Sequence, residues 1–259
     1  MQRGQVDTIT SDVHTWREVS LDDTDDISVT EGNKDTKFYQ SGRASLSNNT
    51  EIFQKGASVS GTVEAMSGNG ISKQFAKEIS HRLTELKINL EKKLTKGIKD
   101  DGTATPFVRR MQGLESWVYA DNIVKAATPT EADIQATIKK LWDRNGSGAY
   151  VALVNATIKS QIDEIYKNSY HYVAKENEFG LVVNRVITSF GYIDLLLTPH
   201  ASVDKMTVFD VNDVEIKWLR NPHFQALGRT GDSTDGYVIA EPTLYVASPR
   251  KIAQLVIKK

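Results

Sequence analysis

The apolar residues Ile71, Phe75, Ile79, Leu83, Leu86, Leu90, Leu94 and Ile98 recur at steps of four, with a single step of three between Leu83 and Leu86. That spacing predicts one helix from Ile71 to Ile98, with no proline and no internal glycine before Gly97. At 1.5 Å per residue such a helix is roughly 40 Å long, about twice an average globular helix. Its mean step exceeds 3.6, so the apolar stripe rotates around the axis by roughly half a turn along the helix. A two-stranded coiled coil needs a fixed seam and is excluded. The stripe instead predicts a spine covered by different elements at its two ends.

The rest of the 259 residues can supply those covers, as one large domain or two small ones. The chain contains no cysteine, which excludes disulfides, thiolate metal sites and a cysteine nucleophile. No apolar run is long enough to span a membrane, and the N-terminus lacks the basic-then-apolar layout of a signal peptide. A soluble protein with no membrane partner is expected.

The net charge of −1 hides an uneven distribution. Residues 1–35 hold nine acids, among them Asp22, Asp23, Asp25 and Asp26, against Arg3, Arg17 and Lys34, a net of −6. The spine, taken as 70–99, carries eight bases, including Lys92 and Lys93, against Glu78, Glu85 and Glu91, a net of +5. Most such runs are solvated faces. The sharper expectation is an acidic arm lying over a basic spine, in its own subunit or a neighbour's.

Residues 5–57 are polar, with β-formers such as Ile9, Val13, Trp16, Val19, Ile27, Val29, Phe38 and Tyr39 scattered among them. They are too few for a core, so the segment is either disordered or an extended hairpin that leans on another surface. Thr30-Glu31-Gly32-Asn33 is its expected turn. An arm that cannot stabilise itself points to assembly. Alternation over Val59, Gly61, Val63 and Ala65 predicts a strand. Ser67-Gly68-Asn69-Gly70 breaks it, and Asn69 or Ser72 can cap the spine. Thr128-Pro129-Thr130-Glu131 predicts a helix start with a capping box and proline at the first helical position, burying Ile134, Ile138, Leu141 and Trp142. A short strand at Tyr150–Val154 and a second helix burying Ile158, Ile162, Ile165 and Tyr166 follow. Strands are expected at 181–187, 192–198, 205–211, 214–220, 237–246 and 251–258. Pro242 requires the fifth of these to be an edge or to carry a bulge.

A search for chemistry finds none. His14, His81, His171, His200 and His223 stand singly, without metal-ligand spacing. Gly231-Asp232-Ser233 is similar to the block of certain esterases, but no Asp-x-x-His accompanies it anywhere, and a turn is the better reading. Gly68-Asn69-Gly70 before a helix names no ligand. No enzyme, cofactor or metal is expected.

The order of elements resembles the major capsid proteins of tailed phages with the Hong Kong ninety-seven phage fold. The resemblance rests on Trp16, Ser20-Leu21 and Glu31-Gly32, then NNTEIFQKGASVSGTVEA (Asn48 to Ala65) and the lysine-rich helix. It continues through RRMQGLESWV (Arg109 to Val118) and LGRTGDSTDGYVIAEPTL (Leu227 to Leu244), and closes on a final strand. No single motif is diagnostic; the specificity of the resemblance lies in their order and spacing.

The resemblance implies an α+β fold with a long spine helix, peripheral and axial domains and a β-hairpin extension loop. It implies a short N-terminal remnant at 1–7, an extension loop over 8–54 and a peripheral domain over 55–120 with the spine at 71–98. The axial domain would cover 121–211, and 212–259 would be strands returning to the peripheral domain. Fifteen residues precede Trp16, where relatives carry an arm of some tens, so that arm is expected to be cleaved, absent or replaced by another protein. The implied function is self-assembly into pentamers and hexamers of an icosahedral shell around double-stranded DNA, in the virion after assembly in the host cytoplasm. Portal, scaffolding or decoration proteins are the further partners implied. Trp16, Asp22, Asp23, Asp25, Asp26, Lys92 and Lys93 are the candidate assembly contacts. The alternatives are an encapsulin-like protein compartment, a GDS-type hydrolase and a monomeric binding module with an acidic tail.

Overall fold

The computed structural model describes residues 8–20, 26–66, 74–169, 184–229 and 231–258. Ile71, the capping residues Asn69 and Ser72, the Ser67–Gly70 break, residues 181–183 and the acids Asp22, Asp23 and Asp25 lie outside them.

The first two strands, β1 (Val13–Ser20) and β2 (Gly42–Asn49), pair antiparallel over eight positions, with Trp16 opposite Leu46. The segment expected to be an arm is therefore a hairpin. Its long connection turns at Thr30–Asn33, where the Asn33 amide donates to the Thr30 carbonyl at 3.1 Å and Gly32 takes φ +80°. Strand β3 (Phe53–Ser60) follows, and then a short helix α1 (Gly61–Ala65) where the alternation predicted a continuing strand. Ser60 decides the change: its hydroxyl accepts from the Val63 amide and caps the turn. Over the seven residues from Val59 to Ala65 the alternation is too short to exclude a turn of helix.

The spine is α2 (Gln74–Lys96). It ends at Gly97, whose amide donates to the Lys93 carbonyl at 2.8 Å. A Cβ at Gly97 would lie 2.5 Å from the Met111 carbonyl, so glycine is required here by the close approach of residues 111–113. Ile98, expected to close the stripe, is 77% exposed. The helix has already ended, and nothing covers the next turn.

As the drifting stripe predicted, two different clusters cover the spine. Ile79, Leu83 and Leu86 pack with Phe53, Trp218, Phe224, Val238 and Ala240, on the inner face of a three-stranded sheet. Leu94 packs instead with Leu114 and Trp117. The sheet orders β3 against β10 (Ser233–Val246) against β9 (Val214–Ala226). Pro242 sits in the central strand, not at an edge. The β9–β10 register shifts on both sides of Glu241, and this bulge accommodates a residue without an N–H.

The second sheet has six strands. In chain order they are β4 (Ile123–Ala126), β5 (Ala149–Val154), β6 (Arg185–Thr188), β7 (Gly191–Leu197), β8 (Lys205–Asp210) and β11 (Ile252–Ile257). In space they run β4-β11-β8-β5-β7-β6. Helices α3 (Glu131–Trp142) and α4 (Ala156–Ser169) bury Ile134, Ile138, Leu141, Ile158, Ile162 and Tyr166 against Tyr150, Ala152 and Val154 of β5. The alternate residues Val151 and Leu153 face the Leu114–Trp117 cluster, so β5 is covered on both sides.

Three expectations need correcting here. The capping box of α3 is Thr130 with Asp133, two residues later than predicted, because Pro129 precedes the cap rather than opening the helix. Trp142 is half exposed against Phe190, since α3 ends there and the last turn overhangs the core. The final strand does not return with β9 and β10. It inserts between β4 and β8 of the six-stranded sheet, where Ala253 and Leu255 join the core beneath α3.

Candidate assembly site at the base of the hairpin

The hairpin projects from the body and carries apolar side chains into solvent. Ile27, Val29, Phe38 and Tyr39 are exposed, Phe38 to 92%. Its base is different. Asn48, Asn49 and Thr50 are almost fully buried, and each is tied by its side chain or its amide to another element. The Asn48 side-chain amide donates to the carbonyls of Leu244 at 2.8 Å and Gln112 at 3.1 Å, while its oxygen accepts from the Gln112 amide at 2.8 Å. Asn49 donates to the Asp100 carbonyl at 2.8 Å, and the Thr50 amide donates to the Asp12 carbonyl at 2.8 Å.

Two buried carboxylates complete this junction. Glu51 accepts from the Met111 amide at 3.2 Å and faces Lys93 of the spine at 3.5 Å. Glu241, on the β10 bulge, accepts from the Thr50 hydroxyl at 2.8 Å, Arg109 Nη2 at 3.2 Å and Arg220 Nε at 2.8 Å. Arg109 reaches on through Nη1 to Asp12 at 2.7 Å. A third buried acid, Glu18, accepts from the Ser248 hydroxyl. Buried carboxylates are tolerated only with partners of this kind, because desolvating an unpaired charge costs several kcal/mol.

Trp16 anchors one face of the hairpin base. Its indole lies 5.6 Å from Trp117 and 5.0 Å from Tyr245 between ring centroids, with His14 stacked on it at 5.4 Å. Burial, and then the Lys217 charge, holds the His14 imidazole below its ordinary pKa, so it stays neutral near pH 7.

Lys92 and Lys93 occupy the last turns of α2, where their charge favours the helix dipole. With Lys96, Pro199 and His200 they line a groove of about 340 Å³. Asp26 is exposed, and the Ser28 amide and hydroxyl hold its carboxyl below the ordinary value. Among the described residues no ion pair joins Asp26 to Lys92 or Lys93 within the chain. Gly231-Asp232-Ser233 is the β9–β10 turn, with Gly231 at φ +85° and the Asp232 carbonyl accepting from Gly61.

Sequence reasoning missed Glu51, Arg109, Arg220 and Glu241. The available signal was a carboxylate standing between Ala240 and Pro242 in the mostly apolar run from Tyr237 to Val246. Such a residue must find cations.

A spine helix under a three-stranded sheet, a six-stranded sheet with helices on one face, and a projecting hairpin together define a capsid subunit of the Hong Kong ninety-seven type. The chain belongs to the SU10 major capsid protein family, which matches residues 1–258. The encapsulin of Synechococcus elongatus PCC 7942 superposes with a TM-score of 0.66 at 12% identity, covering 96% of this chain and 83% of its own. The capsid of Cyanophage P-SCSP1u gives 0.65 at 12% identity, over 98% and 86%. The phage G capsid, solved with its decoration proteins, gives 0.58 at 8% identity, over 96% and 86%. No curated protein sequence matches the chain significantly. The protein is a structural component of the virion, not an enzyme, and its copies self-assemble into the icosahedral shell of a phage head.

Proposed function

We propose that the shell is built from closed rings of five and six subunits, in which the hairpin of each subunit lies on its neighbour and the completed container holds double-stranded DNA. The observation that carries this reading is the exposure of Ile27, Val29, Phe38 and Tyr39 on an arm where no described residue of the chain covers them. Heterologous contacts of this kind close into rings when the rotation between neighbours allows it. In this reading residues 8–54 are the extension loop, and 55–120 with β9 and β10 form the peripheral domain around the spine. Residues 121–211 with β11 form the axial domain. Trp16 acts by seating the loop on its own subunit. Asp22, Asp23, Asp25 and Asp26 meet Lys92 and Lys93 of the next subunit. Portal and scaffolding proteins complete the particle, and decoration proteins such as those in the phage G structure have an outer surface to bind.

Deleting residues 20–45 tests the arrangement. The deletion spares Trp16, Leu46 and the buried base, so the body should keep a near-native thermal transition while particles disappear from negative-stain images. Particles that form normally without the loop would refute the mapping. Nuclease-resistant DNA inside wild-type particles supports a genome container; particles filled with protein instead favour the encapsulin-like reading.

A further inference from the structure

We propose that Glu18 is the positioning residue that sets the direction in which the hairpin leaves its own subunit. The inference rests on the extension-loop reading for its use but concerns the single subunit. Asp12 and Thr50, joined by an amide-to-carbonyl bond of 2.8 Å, are the feet of the ribbon, and the line through them is an axis about which it can swing. Bonds at the feet do little to restrain that swing. Three polar ties lie away from the axis. On β2, Asn48 binds Leu244 and Gln112, and Ser47 accepts twice from Lys99 Nζ, at 2.8 and 2.9 Å. On β1, Glu18 accepts from the Ser248 hydroxyl and faces Arg250 Nε at 3.8 Å. Resistance to swinging grows with the square of the distance from the axis. At about 3.3 Å per residue along a strand, Asn48 stands about 7 Å from its foot, Ser47 about 10 Å and Glu18 about 20 Å. Bond for bond, Glu18 then outweighs Ser47 about fourfold and Asn48 about eightfold.

Trp16 stands on the same face of β1, closer to the foot. Its indole N–H has no hydrogen-bond partner among the described residues, so its contact with Trp117 and Tyr245 holds the ribbon against the body without fixing its direction. A hydroxyl bonded to a carboxylate is directional, and Glu18 is only 8% exposed, so little water competes for it. A tie is also only as firm as its anchor. Ser248 and Arg250 belong to the crossing from β10 to β11, which passes from one sheet to the other. That crossing is pinned on both sides. The Ala247 amide donates to the Asp213 carbonyl at 2.8 Å, and Lys251 pairs with the Asp213 carboxylate at 3.4 Å. The Asn122 side chain donates to the carbonyls of Arg250 at 2.7 Å and Ile252 at 2.9 Å. Glu18 thus refers the hairpin to the segment that joins the two sheets. A loop already aimed in this way loses less freedom when a neighbour is met.

The chain lacks cysteine, so two spin labels can be placed at will. Labels at Arg43→Cys on β2, opposite Val19 and exposed, and at Ala136→Cys on α3 report the hairpin direction in the full chain, held unassembled at low concentration. The wild-type background should give one narrow distance population, and Glu18→Ala should lose it to a broad one. Ser248→Ala removes the same bond from the body side, leaves the hairpin unaltered and serves as the second variant in case the first fails to fold. Thr50→Val removes a bond at the foot, on the axis, and should keep the distances narrow. A residue that merely stabilises the subunit would lower the melting temperature without broadening the distances. Narrow distances in the folded Glu18→Ala or Ser248→Ala protein, or equal broadening by Thr50→Val, overturn the proposal. The measurement needs no neighbour, so its outcome is separate from that of the 20–45 deletion, which decides whether the loop drives assembly.

Discussion

The indoles of Trp16 and Trp117 meet with their centroids 5.6 Å apart and their planes at 48°, joining the hairpin to the cluster that also receives Leu94 of the spine. One aromatic contact thus connects the element that reaches outward to the element around which the body is packed. Trp16→Ala should destabilise the unassembled subunit by about 2–4 kcal/mol, the lower part of the range for large aromatics because Trp16 is only partly covered. Urea unfolding of wild type and variant would measure it, and assembly should weaken in parallel.

The spine offers a paired prediction. Leu86 is 4% exposed beneath Val238 and Ala240, and Leu86→Asp would bury an unpaired carboxylate at a cost of several kcal/mol. Soluble yield should collapse. Ile98→Asp, one residue past Gly97 and open to solvent, should change stability by no more than about 0.5 kcal/mol. Equal damage from both would place the buried stripe wrongly.

What was legible in the sequence follows from range and redundancy. The apolar residues at helical spacing from Phe75 to Leu94 identified the spine and the rotation of its stripe, because the same signal repeats at every turn. Tyr150–Val154 and the faces of α3 and α4 were legible for the same reason. The stretch from Val59 to Ala65 was not, since one capping hydroxyl on Ser60 outweighed an alternation too short to distinguish strand from helix. The place of β11 was invisible because strand order is set by packing across the sheet, not by local pattern. The hairpin junction was hidden by distance along the chain: Glu241 is 191 residues from Thr50 and 132 from Arg109. Nothing local in Arg109-Arg110-Met111 distinguishes a half-buried clamp from a solvated base.

Acid should loosen the six-stranded sheet through Asp210 at the end of β8. Burial works to raise the pKa of this carboxyl, but hydrogen bonds from Ser147 and from the amide and side chain of Asn212 outweigh it and leave the pKa below the ordinary value. A folded pKa lower than the unfolded one means stabilisation that is complete above about pH 4 and is lost as pH falls through that value toward the folded pKa. Asp210→Asn should be less stable than wild type at pH 7. The gap should narrow as pH falls below about 4, as read from urea midpoints at each pH. A constant gap would remove Asp210 from the acid response.

The opposed charges of the loop and the spine give the last prediction. Each exposed pair is worth only about 0.2–1 kcal/mol, and salt screens it over about 8 Å at physiological ionic strength. In a ring the same contact repeats at every subunit, so small terms accumulate across a shell. Changing Asp22, Asp23, Asp25 and Asp26 together to Asn should slow assembly at low salt, with the difference from wild type shrinking as salt rises. The two lysines are not equivalent partners. Lys93 already faces Glu51 at 3.5 Å within its own chain, so reversing its charge also disturbs the hairpin base. Lys92 is exposed, and no ion pair involves it among the described residues, so it isolates the contact between subunits. If the groups meet, Lys92→Glu added to the four Asn changes should cost less than the sum of the two separate effects. Light-scattering assembly rates across a salt series would measure both. Strict additivity, or a rate equal to wild type at every salt concentration, would mean that these carboxylates only keep the loop solvated.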